Sequence, residues 1–159
     1  MLCTSCNYRG PMETRIGEYE YRSLPGTILQ DVEFSMCPKC GAEAVTLVAI
    51  EELDEELASL VVKKRSPLSP DEFRFLRKFL GWSSKDTAKR MGVAAETVSR
   101  WEKGKMAIGE TADRLLRMFV MFTSPVDDYG PEKLEEIDGE QKAAAPRLKH
   151  VADAGWLAA

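Results

Sequence analysis

Along the first fifty residues the chain alternates apolar and polar side chains with a period of two. Tyr19 and Tyr21 interleave with Glu18, Glu20 and Arg22, Pro25-Gly26 interrupts the run, and Val32, Phe34 and Met36 then alternate with Asp31, Glu33 and Ser35. Successive side chains of a strand point to opposite faces, so this pattern predicts the two strands of a hairpin. Ala44 to Ile50 is a further apolar run rich in β-branched residues and predicts a third strand, which gives a small antiparallel sheet.

The period changes at Glu51. From Glu51 to Leu60, Leu53, Leu57 and Leu60 recur at helical spacing with acidic residues opposite them, predicting an acidic amphipathic helix. Such a helix serves either as a solvated cover for the sheet or as a docking face for a basic partner. Residues 63–70, with two prolines and no periodicity, read as a linker.

A second module follows. Ser69-Pro70-Asp71-Glu72 combines an N-cap serine, a proline at the first helical position and a glutamate three residues after the cap, which is a capping box. Phe73, Leu76, Phe79 and Leu80 give this helix an apolar stripe, and Gly81 ends it. Ser83 caps a second helix from Ser84 to Met91 closed by Gly92, and a third begins at Ala94 or Ala95, carries Val98 and Trp101 inward, and ends at Gly104. Ala112, Leu115, Leu116, Phe119 and Val120 fit the i, i+3, i+4, i+7, i+8 template, so Thr111 to Phe122 is a helix; Met118, Met121 and Phe122 widen its apolar arc beyond what one core needs, which calls for either a covering fifth helix or a dimer interface. Beyond Pro125 the pattern weakens to a short acidic helix over Glu132 to Ile137. From Gly139 to Ala159 the chain is alanine-rich and expected to be largely disordered, with His150 solvated and Trp156-Leu157 available as an anchor for a partner or a second copy.

Charge sharpens this division. Residues 1–65 carry 7 basic and 11 acidic groups, residues 66–124 carry 11 and 7, and residues 125–159 carry 4 and 8. A basic middle between acidic flanks suits a dedicated polyanion-binding module in a chain of net charge −4.

All four cysteines lie in two Cys-x-x-Cys knuckles, Cys3-Thr4-Ser5-Cys6 and Cys37-Pro38-Lys39-Cys40, separated by 30 residues. That spacing lets four thiolates close on one ion, and zinc in a closed tetrahedron is the expected structural cofactor. Paired disulfides fit poorly with a chain that begins Met1-Leu2-Cys3 without an apolar leader, which points to a cytosolic home. A redox pair fits poorly because Cys37-Pro38-Lys39-Cys40-Gly41 joins two strand-like runs instead of opening a helix. His150 is the only histidine, and no set of residues assembles a nucleophile, base and oxyanion site, so no enzyme is expected.

Two short helices joined by a glycine turn, with Ala88 where the next helix crosses closely, form a helix-turn-helix whose expected ligand is the major groove of duplex DNA. Ala95, Glu96, Thr97 and Arg100 fall on the exposed start and outer face of the third helix, and Lys103 and Lys105 follow where a phosphate backbone would pass. Arg100 is the expected base reader, since guanidinium matches guanine O6 and N7. Ser83 and Ser84, at the start of the second helix, are expected DNA contacts, Ser84 to phosphate; Trp101 continues the buried stripe.

The paired knuckles, Phe75-Leu76-Arg77 before Leu80-Gly81-Trp82-Ser83, and Thr97-Val98-Ser99-Arg100-Trp101-Glu102-Lys103-Gly104, in this order, resemble the MqsA/YgiT-type antitoxin-like regulators over roughly residues 1–122. The resemblance implies an α+β chain of two domains. A small zinc-clamped antiparallel β domain at 1–65 would precede an all-α helix-turn-helix bundle of the Xre or lambda-repressor type at 66–124, with an acidic, partly disordered tail at 125–159. It also implies zinc on Cys3, Cys6, Cys37 and Cys40, homodimers on a palindromic operator, repression of the chain's own operon, and a small basic toxin as partner. Two departures change the expected operator: Ser84 stands where many Xre-type domains have glutamine, and Glu96 where the best-known antitoxin of the family has a base-reading asparagine. The other reading is a stand-alone zinc-containing transcription regulator with no toxin.

Overall fold

In the computed structural model, which describes residues 1–139 and 143–159, the sheet is organised around one strand, β2 (Ile28–Met36). On one edge it pairs antiparallel with β1 (Glu13–Glu20), from Glu13 opposite Met36 to Glu20 opposite Ile28. Its other edge is shared. β3 (Glu43–Thr46) takes Glu33 to Met36 antiparallel, and β4 (Arg147–Val151) takes Ile28 to Gln30 in parallel, with β5 (Gly155–Ala158) returning antiparallel on β4. The sheet is thus mixed where a purely antiparallel one was expected, because a parallel pair needs a long crossover and here the helical part of the chain lies in it.

A register shift between Gly17 and Tyr19 sets Gln30 and Asp31 of β2 against Glu18 alone. Asp31 takes φ 54°, the left-handed conformation that an inserted residue in a bulge needs. The bulge resets the alternation, so Leu29 is buried on the same side as Val32 and Phe34, joined there by Leu148 and Trp156.

The tail therefore differs from its expectation. Residues 140–142 of the stretch expected to be disordered lie outside the described residues, but Arg147–Val151 and Gly155–Ala158 are strands. Leu148 is fully buried, and the Trp156 indole N–H donates to the Val48 carbonyl at 3.1 Å, so this tryptophan anchors the chain's own sheet and not a partner. His150, expected in solvent, is half-buried and meets Trp156 edge-on at 5.4 Å. The short acidic helix is a 3-10 turn at Pro131–Glu136.

Five α-helices complete the chain: α1 (Ile50–Lys63), α2 (Pro70–Phe79), α3 (Ser84–Met91), α4 (Ala95–Glu102) and α5 (Glu110–Thr123). The described residues form two compact units, one of residues 1–21, 26–53 and 146–159, the other of residues 22–25 and 54–145. The expected boundaries at 65 and 124 shift accordingly: the division falls inside α1, and the chain's end belongs with the sheet. α1 also begins earlier than its acidic run, taking Ile50 from the expected third strand.

The predicted capping box at Ser69 forms, and the predicted cap at Ser83 is a second one. The Ser69 hydroxyl accepts from the Glu72 N–H at 3.2 Å while Glu72 accepts from the Ser69 N–H at 2.7 Å, and Ser83 with Asp86 repeats the arrangement at 3.1 and 2.9 Å. Gly92 closes α3 at φ 69°, where a side chain would be strained. Phe73, Leu76, Val98, Leu116 and Val120 fill the helical core, with Phe73 edge-on to Trp101 at 5.5 Å.

Polar residues do as much in this core as apolar ones. The buried Arg77 forks onto the Glu102 carboxylate and donates to the Trp82 carbonyl at 2.7 Å, tying α2 to the end of α4. On α5 the buried stripe is Asp113, Leu116, Arg117 and Val120, one position round from the apolar template. The fully buried Arg117 donates to Asp113 at 2.7 Å and to the carbonyls of Val62, Lys64 and Ser66, while Asp113 accepts the Leu68 N–H at 2.6 Å. The linker over residues 64–69 is therefore pinned along its backbone, with Arg117 serving also as the C-terminal cap of α1.

Replacing Arg117 by leucine strands the Asp113 carboxylate and three carbonyls away from water. The expected cost is about 3–5 kcal/mol, read as an earlier helical unfolding transition in urea by circular dichroism. An unchanged midpoint would show that the network is not what holds the linker.

Candidate metal centre and nucleic-acid interface

The two knuckles are built alike. Asn7 N–H donates to the Cys3 carbonyl at 2.9 Å and Cys3 N–H to the Tyr8 carbonyl at 3.0 Å; Gly41 N–H donates to the Cys37 carbonyl at 2.8 Å and Cys37 N–H to the Ala42 carbonyl at 3.0 Å. In each, the residue after the second cysteine turns the chain through the left-handed region, Asn7 at φ 57° and Gly41 at φ 72°. Asparagine and glycine enter that region most cheaply, so the sequence Cys-x-x-Cys-Asn or Cys-x-x-Cys-Gly makes a tight loop with both sulfurs on its inside.

The hairpin of β1 and β2 carries the first knuckle to the second. No disulfide joins the four thiols: Cys3 and Cys40 sulfurs lie 3.7 Å apart, as do those of Cys6 and Cys37, and all four are within 4.8 Å of one another. A tetrahedron with metal–sulfur bonds of about 2.3 Å has edges of about 3.8 Å, so the donor set and its spacing fit a four-coordinate ion. Charge points the same way. The Cys3 thiol is lowered to about 6, chiefly by the backbone N–H groups of Cys6 and Ser5. For Cys6 the Tyr8 N–H favours the thiolate, but burial and the sulfurs of Cys40, Cys3 and Cys37 together push it up to about 12. The Cys3 thiolate is thus favoured and that of Cys6 opposed by the sulfurs around it, and a cation among those sulfurs would relieve the opposition. The position of Cys3, Cys6, Cys37 and Cys40 as a possible metal site thus agrees with the spacing rule, and all four belong to the sheet unit.

The second site lies on α3 and α4. Val98 and Trp101 face the core, leaving Ala95, Glu96 and Arg100 exposed on the opposite side of α4 and Thr97 half-exposed. Lys103 and Lys105 follow in the turn closed by Gly104 at φ 67°, both exposed. α4 opens at Ala94 without a side-chain cap, so its first amides remain open to an external acceptor. Ser83 differs from its expectation as a DNA contact: its hydroxyl is engaged with Asp86, accepting from its N–H and donating to its carboxylate at 2.6 Å. These bonds hold the Asp86 carboxyl below the usual range, with Arg90 and Lys89 adding to the effect. Ser84, half-exposed at the first position of α3, has no such engagement among the described residues.

Sequence reasoning missed how cations are allotted. In the helical unit, Lys64, Arg65, Arg74, Arg77, Arg114, Arg117 and Lys133 each meet a carboxylate within 4.0 Å. Among the described residues Arg100, Lys103 and Lys105 meet none. Residues 78–105 hold seven basic and three acidic side chains, and two of the three acidic ones, Asp86 and Glu102, are spent on the cap and on Arg77. Glu96 remains the one uncommitted carboxylate there. Met118 and Phe122, on the exposed side of α5, are 46% and 92% accessible, and with Met121, Pro125, Val126, Tyr129 and Pro131 they line an apolar pocket of about 270 Å³.

No helix of the described residues is long and apolar enough to cross a membrane. No curated protein matches the chain. Residues 73–118, which run from α2 into α5 and contain every cation just named on α4 and its turn, match the model of the helix-turn-helix family, and the chain is accordingly a DNA-binding transcription regulator with an Xre-type domain beside a four-cysteine cluster.

Proposed function

We propose that the protein is a sequence-specific, autoregulating repressor that binds a palindromic operator as a homodimer and acts as the antitoxin of a type II toxin–antitoxin pair, with zinc as a structural ion on Cys3, Cys6, Cys37 and Cys40. It is a binding protein and not an enzyme. The observation that carries the reading is the set Arg100, Lys103 and Lys105, exposed and, among the described residues, without carboxylate partners on α4 and the turn after it. Exposed arginine and lysine left unpaired are suited to base edges and phosphates. The apolar surface of Met118, Met121 and Phe122 supports a twofold contact through α5. For the toxin, support comes from the resemblance in the cysteine knuckles and from the exposed Glu51, Glu52 and Glu55 of α1, which complement a basic protein.

Co-expression with the product of the adjacent gene tests the antitoxin role. The expected result is a co-purifying complex and relief of growth arrest; no complex and no toxicity would leave a stand-alone regulator.

Arg100→Ala is expected to cost about 1–3 kcal/mol of discrimination between operator and scrambled duplex, with the helical content unchanged. Anisotropy titrations read this directly; an unaltered preference removes the base-reading role, and a stoichiometry of one chain per palindrome removes the dimer.

Cys37→Ser is expected to release the ion and unfold the sheet unit, since structural zinc contributes about 10–16 kcal/mol of apparent folding free energy in finger peptides. Metal content and the dispersion of amide resonances from β1 to β3 are the readouts. A folded sheet free of metal would end the zinc assignment.

A further inference from the structure

Among the described residues three strands, β1, β3 and β5, pair on one side only. An open edge presents unpaired N–H and C=O groups to any extended segment, and proteins guard such edges with charge, proline or a bulge. β1 has Glu13, Arg15, Glu18 and Glu20 along it and the register shift between Gly17 and Tyr19. β3 opens on Glu43. β5, Gly155-Trp156-Leu157-Ala158, has none of these guards.

The pairing of β5 with β4 shows which of its groups are open. The Ala159 N–H donates to the Arg147 carbonyl at 2.8 Å, and Leu157 stands opposite Lys149 two residues on. Antiparallel bonds alternate along a strand, so Leu157 bonds inward to β4 while the N–H and C=O groups of Trp156 and Ala158 face the open edge. Residues 48–52 run beside it: the Val48 carbonyl takes the Trp156 indole N–H, and the Glu52 carboxylate lies 3.2 Å from where a Cβ on Gly155 would stand. Val48 and Ile50 are exposed there, and Leu157 and Val151 are exposed on the face away from the Trp156 ring. Glu51 and Glu52 are exposed as well, and among the described residues no cation meets either. A strand laid on β5 would thus find backbone partners along its edge, apolar side chains on both faces and two carboxylates beside them.

We propose that β5 is the docking edge for the toxin, which extends the sheet with a basic segment of its own. The open groups of Trp156 and Ala158 fix its register, Val48, Ile50 and Leu157 take its apolar side chains on alternate faces, and Glu51 and Glu52 take its lysines or arginines. So short a strand supplies little affinity through its backbone alone, so the flanking side chains set the preference for a basic partner. The inference rests on the reading of the chain as an antitoxin. β4 and β5 lie beyond residues 1–122, outside the stretch on which the family resemblance rests.

The test forms the complex of the full chain with the product of the adjacent gene and follows amide hydrogen exchange. The Trp156 and Ala158 amides, open in the free chain, should exchange more slowly in the complex, with Leu157, already bonded to β4, as the reference. Ala158→Pro removes an N–H that faces away from β4, so the ladder is kept, and it should weaken the complex by about tenfold. Metal content and tryptophan fluorescence of the free variant check its fold. Glu51→Gln with Glu52→Gln should weaken the complex about threefold at about 50 mM salt and less at about 300 mM. A complex in which Trp156 and Ala158 exchange as before, or in which β1 is protected in their place, overturns the docking edge while the antitoxin reading stands. A folded Ala158→Pro chain that binds as tightly as the unaltered one does the same, and unchanged affinity in the carboxylate variant overturns the basic segment. No complex with the unaltered chain would instead overturn the antitoxin reading, and this edge with it.

Discussion

The helical unit depends on one buried guanidinium. The last turn of α1 and residues 64–69 after it leave carbonyls with no helix or ladder partner, and those of Val62 and Ser66 are met in the buried interior. Arg117 supplies those partners to Val62, Lys64 and Ser66 while its charge is balanced by Asp113, which itself takes the Leu68 N–H. Only a planar fork with five donors can serve a carboxylate and several carbonyls at once; lysine has neither the geometry nor the number. Once α5 holds this segment, the start of α2 is fixed at the Ser69 cap. α2 in turn fixes the end of α4 through Arg77 and Glu102. The face that α4 presents is therefore set by two charge-assisted forks as well as by packing.

Much of this was legible in the sequence wherever the cause is local. Serine three residues before an acid marked the cap of α2, serine alone that of α3, glycine marked the turns, and the Cys-x-x-Cys spacing marked four sulfurs that the structure brings within 4.8 Å. Non-local causes were hidden. β4 has only Leu148 as a core-sized inward residue and becomes a strand because β2 has a free edge at Ile28 to Gln30, a fact settled far away in the chain. Trp156 looked like a partner's anchor because its acceptor, the Val48 carbonyl, is equally remote. Asp113 and Arg117 failed for another reason: an acid and a base at i, i+4 normally decorate a solvated face, and periodicity gave no sign that this pair replaces leucines in the stripe.

The two units solve the problem of small size by different means. The sheet unit has a modest core of Leu29, Val32, Phe34, Leu148 and Trp156, and its strands are drawn from both ends of the chain. Few residues bury little surface, and the proposed metal on the four cysteines would close a loop of 30 residues and compensate by restricting the unfolded chain. The helical unit needs no such clamp. Its elements are sequential: α2 and α3 start on capping boxes, Gly92 and Gly104 turn the chain after α3 and α4, and Arg117 ties α5 back to the end of α1 and the linker after it.

The choice between arginine and lysine separates scaffold from binding surface. From α2 to α5, Arg74, Arg77, Arg114 and Arg117 each meet a carboxylate, and Arg90 lies over the Trp82 ring at 4.4 Å. The lysines there, on helices and turns alike, are exposed and meet no carboxylate among the described residues, as suits a strongly hydrated point charge that meets phosphate without demanding a geometry. Arg100 fits neither use. Among the described residues it is the arginine of these helices with no carboxylate and no ring, exposed one turn after Glu96 on the face away from Val98 and Trp101. A fork held out from a recognition helix with nothing in the chain to engage it is matched by a planar pair of acceptors, and guanine presents such a pair in the major groove. Glu96 beside it narrows the choice, since its carboxylate accepts from cytosine N4 and repels phosphate. On the proposed reading, the two side chains would together favour a guanine and a cytosine in neighbouring positions of the operator, with discrimination set on α4 and hold on the backbone left to the lysines.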